Sequence, residues 1–311
     1  MTKTSNTPRA DVYARVTDRI IEDLTNGVRP WLKPWKAGNT QGRITPPLRH
    51  NGTPYKGMNV LLLWGEAMDK GYSSAIWMTY KQAAELGANV RKGEHGSLVV
   101  YADRFTKTEQ NDRGEDVERS IPFMKGYTVF NVEQIEGLPA LYYTKPEPKG
   151  EPLPLIEAAE EFFNRTGARF CHGGDRAFYA PSQDLIQLPP AEAFKDAESY
   201  AATKAHELIH WTGSAGRCAR EFGKRFGDTA YAREELVAEL GAAFLCAALG
   251  ITPEPRDDHA SYLDHWLQVL KADKRAIFSA AAHAQKAADY LHGLQGGHTV
   301  EGTKDGERLA A

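Results

Sequence analysis

A cluster of prolines near the middle of the chain limits its fold more than any other feature. Four of the twelve residues from Tyr143 to Pro154 are proline, which lacks the N–H that helix interiors and central strands require. Proline-rich segments act as semi-rigid spacers. We therefore predict two domains, at residues 1–145 and 155–295, joined by a linker at 146–154 and followed by a flexible tail at 296–311. A proline-rich loop inside one large domain is the alternative.

The two halves differ in charge. The whole chain of 311 residues has a net charge of −3, which by itself argues against a nucleic-acid ligand. Residues 1–145 have a net charge of +4, whereas the rest of the chain has −7. The basic residues are thus concentrated in one half, and the average charge does not exclude a nucleic-acid partner.

Composition excludes several classes of protein. A hydrophobic fraction of 41% and a charged fraction of 25% are typical of globular domains. No apolar run approaches the roughly 20 residues of a membrane-spanning helix, and no apolar segment follows the first residues as in a secretory signal. Three scattered cysteines do not form a disulfide framework. We expect a cytoplasmic monomer with no membrane association.

The N-terminal half has the pattern of a mixed α+β domain. Apolar residues recur every four positions from Val12 to Leu24, as in an amphipathic helix. The charged stretch Lys107–Arg119 is predicted to be a solvated loop between two strands. The other predicted elements are helices at Met58–Met68 and Tyr80–Leu86, and strands at Gly96–Ala102 and Ile121–Val132.

The C-terminal half is predicted to be mostly helical with a small sheet. Its helices are expected at Leu155–Asn164, Ala197–Thr212, Tyr231–Leu249, Ala260–Leu270 and Lys274–Leu294, and its strands at Ala168–Cys171, Ala177–Ala180 and Leu185–Leu188. The whole chain is therefore expected to be an α+β protein.

One of these helices contains an H-E-x-x-H sequence, formed by His206-Glu207-Leu208-Ile209-His210. Positions i and i+4 of a helix lie on one face, so both imidazoles can bind one Zn²⁺. Glu207 is one position along, close enough to act on a metal-bound water without binding the metal. No helix-breaking residue lies between Ala201 and Trp211, which fits the helix that the motif requires.

The third ligand is expected on the following helix. Carboxylates on an apolar helix need partners, because burying an unpaired charge is costly, and Glu235 and Glu239 share a face at i, i+4. We predict Glu235 as the third ligand and Glu239 as an outer residue that orients a histidine. The reverse assignment, with Glu239 as the ligand, stays open. Glu234 is expected to be a solvated or salt-bridged residue beside Arg233.

Such a site predicts metal-assisted hydrolysis. The metal would activate a water, Glu207 would take its proton, and an amide carbonyl is the usual target of the attack. Tyr231 and Tyr179 are candidates for additional donors close to the ligands. A zinc metallopeptidase is thus the leading prediction, although another divalent metal and the absence of proteolysis both stay open.

The N-terminal half combines tryptophans with basic residues. Single-stranded nucleic acid is bound by a basic track and by aromatic faces on which bases stack. Trp31 and Trp35 lie in a proline-bounded loop where such faces would be available, and burial of both in a small core is the alternative. The predicted DNA contacts are Trp31, Lys33, Trp35, Lys36, Arg43, Tyr55 and Lys56.

Several segments resemble antirestriction proteins of the ArdC type, which are related to the N-terminal part of plasmid TraC primases. In the N-terminal half they are Pro54–Trp64, Trp77–Ala83, Val90–Gly96 and Val129–Ile135. In the C-terminal half, His206–His210 and Arg233–Glu239 are similar to the zincin-like metallopeptidase domain of that family. The resemblance extends from about Val12 to Leu294.

The resemblance implies an N-terminal domain that binds single-stranded DNA, a C-terminal zincin-like domain, and a role in protecting incoming plasmid DNA from host restriction enzymes. His206 and His210 match the paired zinc ligands, Glu207 the catalytic acid/base, and Glu235 or Glu239 the acidic ligand. Host restriction enzymes or other DNA-bound proteins are the implied partners besides DNA. The alternative is a pure DNA-binding or nuclease-blocking protein whose zinc domain is structural.

Overall fold

The structure is a computed structural model that describes residues 11–31, 45–110, 116–143, 152–223, 229–251 and 260–296. The helices are α1 (Val12–Thr25), α2 (Met58–Lys70), α3 (Tyr80–Glu85), α4 (Pro152–Arg165), α5 (Ala197–Thr212), α6 (Thr229–Leu249), α7 (Ala260–Ala272) and α8 (Ala276–Gly293). The strands are β1 (Leu48–Arg49), β2 (Ile76–Met78), β3 (Asn89–Val90), β4 (Ser97–Gln110), β5 (Asp116–Asn131), β6 (Ile135–Glu136), β7 (Arg169–His172), β8 (Phe178–Ala180) and β9 (Leu185–Leu188).

The N-terminal half is built around a four-stranded sheet in the order β1-β2-β5-β4. Strands β1 and β2 are parallel, and the other two pairs are antiparallel. Helix α2 packs on this sheet, where the Asn59 amide donates to the Val100 carbonyl at 2.8 Å and accepts from its N–H at 2.7 Å. These two bonds satisfy a polar side chain while they fix α2 on β4.

The hairpin formed by β4 and β5 is longer than the sequence predicts. The antiparallel ladder runs without interruption from the pair Ser97–Val129 to the pair Gln110–Asp116. The expectation of a solvated loop across Lys107–Arg119 is therefore wrong for most of that stretch. A strand that is exposed on both faces has no apolar alternation, so periodicity alone cannot reveal it.

The C-terminal half joins a bundle of long helices to a small sheet in the order β7-β9-β8. Strands β7 and β9 are parallel, whereas β8 pairs with β9 in the antiparallel sense. Helices α5 and α6 approach closely, because a Cβ added to Gly241 of α6 would lie 2.9 Å from Ile209 of α5. Glycine at this position therefore sets the separation of the two helices that carry the predicted ligands.

The C-terminal end of the predicted proline linker is helical. Residues 144–151 lie outside the described part of the chain, and α4 already begins at Pro152. Proline is tolerated in the first turn of a helix, where its missing N–H would have no intrahelical partner. The last three residues of the predicted linker, 152–154, thus belong to α4.

The two halves share one hydrophobic core. Trp64 of α2 packs against Phe244 of α6, with ring centroids 6.1 Å apart. A polar contact also crosses between the halves, since the Thr17 hydroxyl donates to the Lys274 carbonyl at 2.6 Å. The sequence boundary between the halves is consequently not a boundary in the packing.

The α+β class predicted from the sequence is confirmed, with a mixed N-terminal half and a mostly helical C-terminal half. Within the described residues, no helix combines the length and the apolar character needed to cross a membrane.

Helix α5 begins at an aspartate cap. The Asp196 carboxylate accepts from the Ser199 N–H at 2.7 Å and from its hydroxyl at 2.6 Å, and these bonds lower the pKa of Asp196. We expect Asp196→Ala to reduce the free energy of unfolding by about 1 kcal/mol, measured by urea denaturation of the metal-free chain at neutral pH. Because the folded pKa lies below the unfolded one, this contribution is lost as the pH falls through the folded pKa.

Asp196→Asn is the matched control, because asparagine also caps helices and should retain most of the stability. An alanine variant as stable as the wild-type chain would contradict a capping role.

Candidate metal centre

Helix α5 brings His206 and His210 to the same face, as the i, i+4 spacing predicts. Their rings are 4.9 Å apart between centroids, and both side chains lie largely within the protein, with exposed fractions of 5% and 12%. Two largely buried imidazoles on adjacent turns of one helix face are positioned to share one ion.

Helix α6 places the Glu235 carboxylate between the two rings. One oxygen lies 3.5 Å from His206 Nε2, and the other lies 3.6 Å from His210 Nε2. Metal–ligand bonds of about 2.0–2.2 Å in a tetrahedral site separate neighbouring ligand atoms by about 3.3–3.6 Å. One ligand atom from each of the three residues lies within 4.8 Å of the others. The three donors therefore fit a divalent metal ion.

The other nitrogens of the two rings face carboxylates. Glu234 lies 3.1 Å from His210 Nδ1, and Glu239 lies 3.8 Å from His206 Nδ1. Ligating histidines usually contact a carboxylate through the ring nitrogen that does not bind the metal, which fixes the ring orientation. Both Nε2 atoms are thus left to converge on Glu235, and Glu239 lies on the outer side of His206.

Glu234 is a residue that sequence reasoning missed. It was expected to be solvated or salt-bridged beside Arg233. Its side chain is instead buried, and its ion pair is with Arg220, through two bonds at 2.8 and 2.9 Å. A carboxylate can be buried when it is paired with a guanidinium and hydrogen bonded. The only sequence signal was the position of Glu234 next to Glu235 on an apolar helix.

Arg220 connects the C-terminus of α5 to α6. Besides Glu234, it donates to the Ile209 carbonyl at 2.6 Å and to the Thr212 hydroxyl at 2.8 Å. The guanidinium passes so near the end of α5 that a Cβ on Gly213 would lie 2.9 Å from its Nη2. A larger residue at position 213 would also meet Phe222 at 2.5 Å, so the Phe222 and Arg220 side chains would have to shift. Arg220 therefore holds the helix of the two histidines against the helix of the acidic residues.

The electrostatics of the cluster favour the charged forms of His210 and Glu235. Burial alone would lower the pKa of His210, but Glu235 and Glu234 outweigh it and raise this pKa to about 10. Burial would raise the pKa of Glu235, whereas the two histidines lower it well below the usual range. In the absence of metal, His210 and Glu235 thus stabilise each other's charge within the protein.

Two of the remaining predicted residues, Glu207 and Tyr231, lie on the same two helices, whereas Tyr179 lies on β8. Glu207 is buried on α5 between the two histidines in sequence. The Tyr231 hydroxyl is 3.0 Å from that of Tyr262, and burial, Tyr262 and Glu235 together raise the pKa of Tyr231. Tyr179 is bound elsewhere, since its hydroxyl donates to Asp184 and accepts from Arg217.

The structure corrects two of the predicted DNA contacts. Trp31 is fully buried against Trp266, and Tyr55 is 5% exposed, so neither ring offers a free face to a base. Lys56 is exposed but forms an ion pair with Asp289 of α8 at 3.1 Å. The other four predicted contacts, Lys33, Trp35, Lys36 and Arg43, lie outside the described residues.

Comparisons with known proteins match both halves of the chain. Residues 10–130 match the family model of the N-terminal domain of the anti-restriction factor ArdC, and residues 157–283 match that of a zincin-like metallopeptidase. The protein y4eC of Sinorhizobium fredii is 42% identical over 304 residues, covering 94% of this chain and 95% of that protein. The DNA primase TraC of Escherichia coli is 40% identical over 294 residues, but this chain spans only 27% of its length.

Two crystal structures of the antirestriction protein ArdC from the R388 plasmid are similar to this fold. The metal-free structure has a TM-score of 0.75 at 45% identity, covering 91% of this chain and 97% of that chain. The structure with bound Mn(II) has a TM-score of 0.73 at 44% identity, covering 91% and 98%. Taken together, matches that run through both halves show that the chain belongs to the ArdC family of antirestriction proteins, in which an ArdC N-terminal domain precedes a zincin-like metallopeptidase domain.

Proposed function

We propose that this chain binds single-stranded DNA and protects incoming plasmid DNA from host restriction in the recipient cytoplasm, and that its C-terminal half is a zinc-dependent peptidase. The observation that carries the proposal is the buried cluster of His206, His210 and Glu235, in a chain whose N-terminal half matches the ArdC domain. Proteins bound to the incoming DNA, including restriction enzymes, are the proposed substrates.

Zinc is the metal that the donor set favours. Two imidazoles and one carboxylate form a three-ligand set that leaves a fourth tetrahedral position open, as in catalytic zinc sites. A site for Mn²⁺ alone would be expected to contain more oxygen donors. When bound, the ion supplies Lewis acidity toward a water and toward an amide carbonyl.

The chain's own residues would supply the proton transfers and the geometry. Glu207 is the proposed general base, which takes a proton from the attacking water and returns it to the leaving amine. Tyr231 is a proposed hydrogen-bond donor near the reacting carbonyl. Glu234 and Glu239 would hold the two imidazoles in a fixed orientation throughout.

DNA binding would concentrate the peptidase on its substrates. Proteins on the same DNA strand would be cleaved at the high effective concentration that tethering provides. The proposed contacts are Lys33, Trp35, Lys36 and Arg43, with Lys56 at the edge of the same half. The net charge of +4 in residues 1–145 supports this assignment.

We expect Trp35→Ala to weaken the binding of a fluorescent oligothymidylate by about tenfold at fixed salt, because one base stacked on an aromatic ring contributes roughly 1–3 kcal/mol. Fluorescence anisotropy measures the affinity. Trp35→Phe is the control, since phenylalanine keeps a stacking face and should bind nearly as well as the wild-type chain. Equal affinities for the alanine variant and the wild-type chain would remove Trp35 from the proposed interface.

A further inference from the structure

The segment Arg29-Pro30-Trp31 contacts the C-terminal half at two points beside the candidate metal centre. It is the last described segment before residues 32–44, which contain the proposed DNA contacts Lys33, Trp35, Lys36 and Arg43. The segment therefore joins the part of the chain assigned to DNA to the part assigned to the metal.

The first contact is an ion pair with an outer carboxylate. Arg29 Nη1 lies 3.8 Å from Glu239 Oε1, and the other Glu239 oxygen lies 3.8 Å from His206 Nδ1. The Glu239 side chain is 3% exposed, and that of Arg29 is 19% exposed. Charges excluded from water interact more strongly than surface charges. Within the described chain, Nη1 itself is buried and makes no hydrogen bond, so Glu239 provides its nearby opposite charge.

The second contact is a chain of aromatic rings. Trp31 meets Trp266 edge to face at a centroid distance of 6.3 Å, and Trp266 stacks on Tyr262 at 6.2 Å. The Tyr262 hydroxyl reaches that of Tyr231 at 3.0 Å. Tyr231 precedes Glu235 by four residues on α6, so the two share a face. Arg29 thus contacts a neighbour of His206 directly, and Trp31 is connected to a neighbour of Glu235 through Trp266 and Tyr262.

We propose that Arg29 is a positioning residue that holds Glu239 against His206 and so raises the affinity of the centre for its metal. This inference rests on the metal centre of the proposed function, and a wild-type chain that binds no Zn²⁺ would refute that centre itself.

Arg29→Gln tests this role. It removes the charge at nearly constant size, and we expect the affinity for Zn²⁺ to fall by about tenfold, at the lower end of the range for outer partners of metal ligands. Competition with a chromophoric chelator measures the affinity. Arg19→Gln is the matched control, because Arg19 pairs with Asp23 and Asp69 at the surface and should leave zinc affinity unchanged. An unchanged affinity in Arg29→Gln overturns the proposal.

A double-mutant cycle separates positioning from general destabilisation. If Arg29 acts through Glu239, adding Arg29→Gln to Glu239→Gln should cause no further loss of zinc affinity. Losses that multiply would show that Arg29 acts elsewhere and would overturn the assignment. Arg29→Lys keeps the charge and should bind zinc better than Arg29→Gln. A lysine variant as weak as the glutamine variant would likewise overturn a role for the charge.

Discussion

Replacing Glu235 by glutamine is expected to weaken Zn²⁺ binding by more than about 100-fold, beyond the roughly 10–100-fold loss caused by outer partners of metal ligands. The carboxylate lies between the two Nε2 atoms at 3.5 and 3.6 Å. An amide in its place has no negative charge and is a poorer ligand for a divalent cation. Chelator competition at fixed pH measures the change.

Glu239→Gln is the decisive comparison. The sequence left open whether Glu235 or Glu239 is the third ligand, and the structure places Glu239 beside the outer nitrogen of His206. We therefore expect Glu239→Gln to lose only about 10–100-fold in affinity. A larger loss in Glu239→Gln than in Glu235→Gln would exchange the two roles. Thermal unfolding of the metal-free variants shows whether either substitution acts by destabilising the fold.

The sequence reveals the geometry of this centre only within single helices. The relation of His206 to His210 depends only on the pitch of one helix, and Glu235 stands out as a carboxylate on an apolar helix. Both could be inferred without knowing how α5 and α6 pack. The distance between the two histidines on α5 and Glu235 on α6, in contrast, depends on the close approach of the two helices at Gly241.

Long-range packing explains what the sequence did not reveal. Trp31 is buried by Trp266, a residue 235 positions away, and no local pattern distinguishes such a core tryptophan from one that stacks on bases. Glu234 and Arg220 meet only because the segment after α5 folds back onto α6. The long β4–β5 ladder was hidden because both of its faces are polar at the far end.

The shared hydrophobic core also depends on long-range packing that the sequence does not indicate. The proline cluster and the change in net charge indicate two halves of different composition, and one family model matches within each half. They do not indicate that α1 and α2 pack against α6, α7 and α8 in one hydrophobic cluster. Contact between the halves is what allows Arg29 to reach Glu239.

Replacing Glu207 by glutamine is expected to lower the rate of peptide hydrolysis by about 10²–10⁴-fold, the usual contribution of a positioned general base. Zinc affinity should remain within about threefold of the wild-type value, because Glu207 is not a proposed ligand. Hydrolysis of a DNA-binding protein substrate, measured with and without an oligothymidylate, reports the rate. Glu192→Gln, in the exposed turn before α5, is the control and should cleave at the wild-type rate.

The same variant separates the two functions that the sequence left open. If protection depends on cleavage, Glu207→Gln should bind zinc and DNA normally but fail to protect plasmid DNA during transfer into a restricting host. Full protection by this variant would assign antirestriction to DNA binding alone and leave the metal centre with a structural or separate role. A wild-type chain that binds zinc but cleaves no protein, with or without DNA, would refute the peptidase. The phenotype of Glu207→Gln therefore decides whether protection depends on the proposed cleavage.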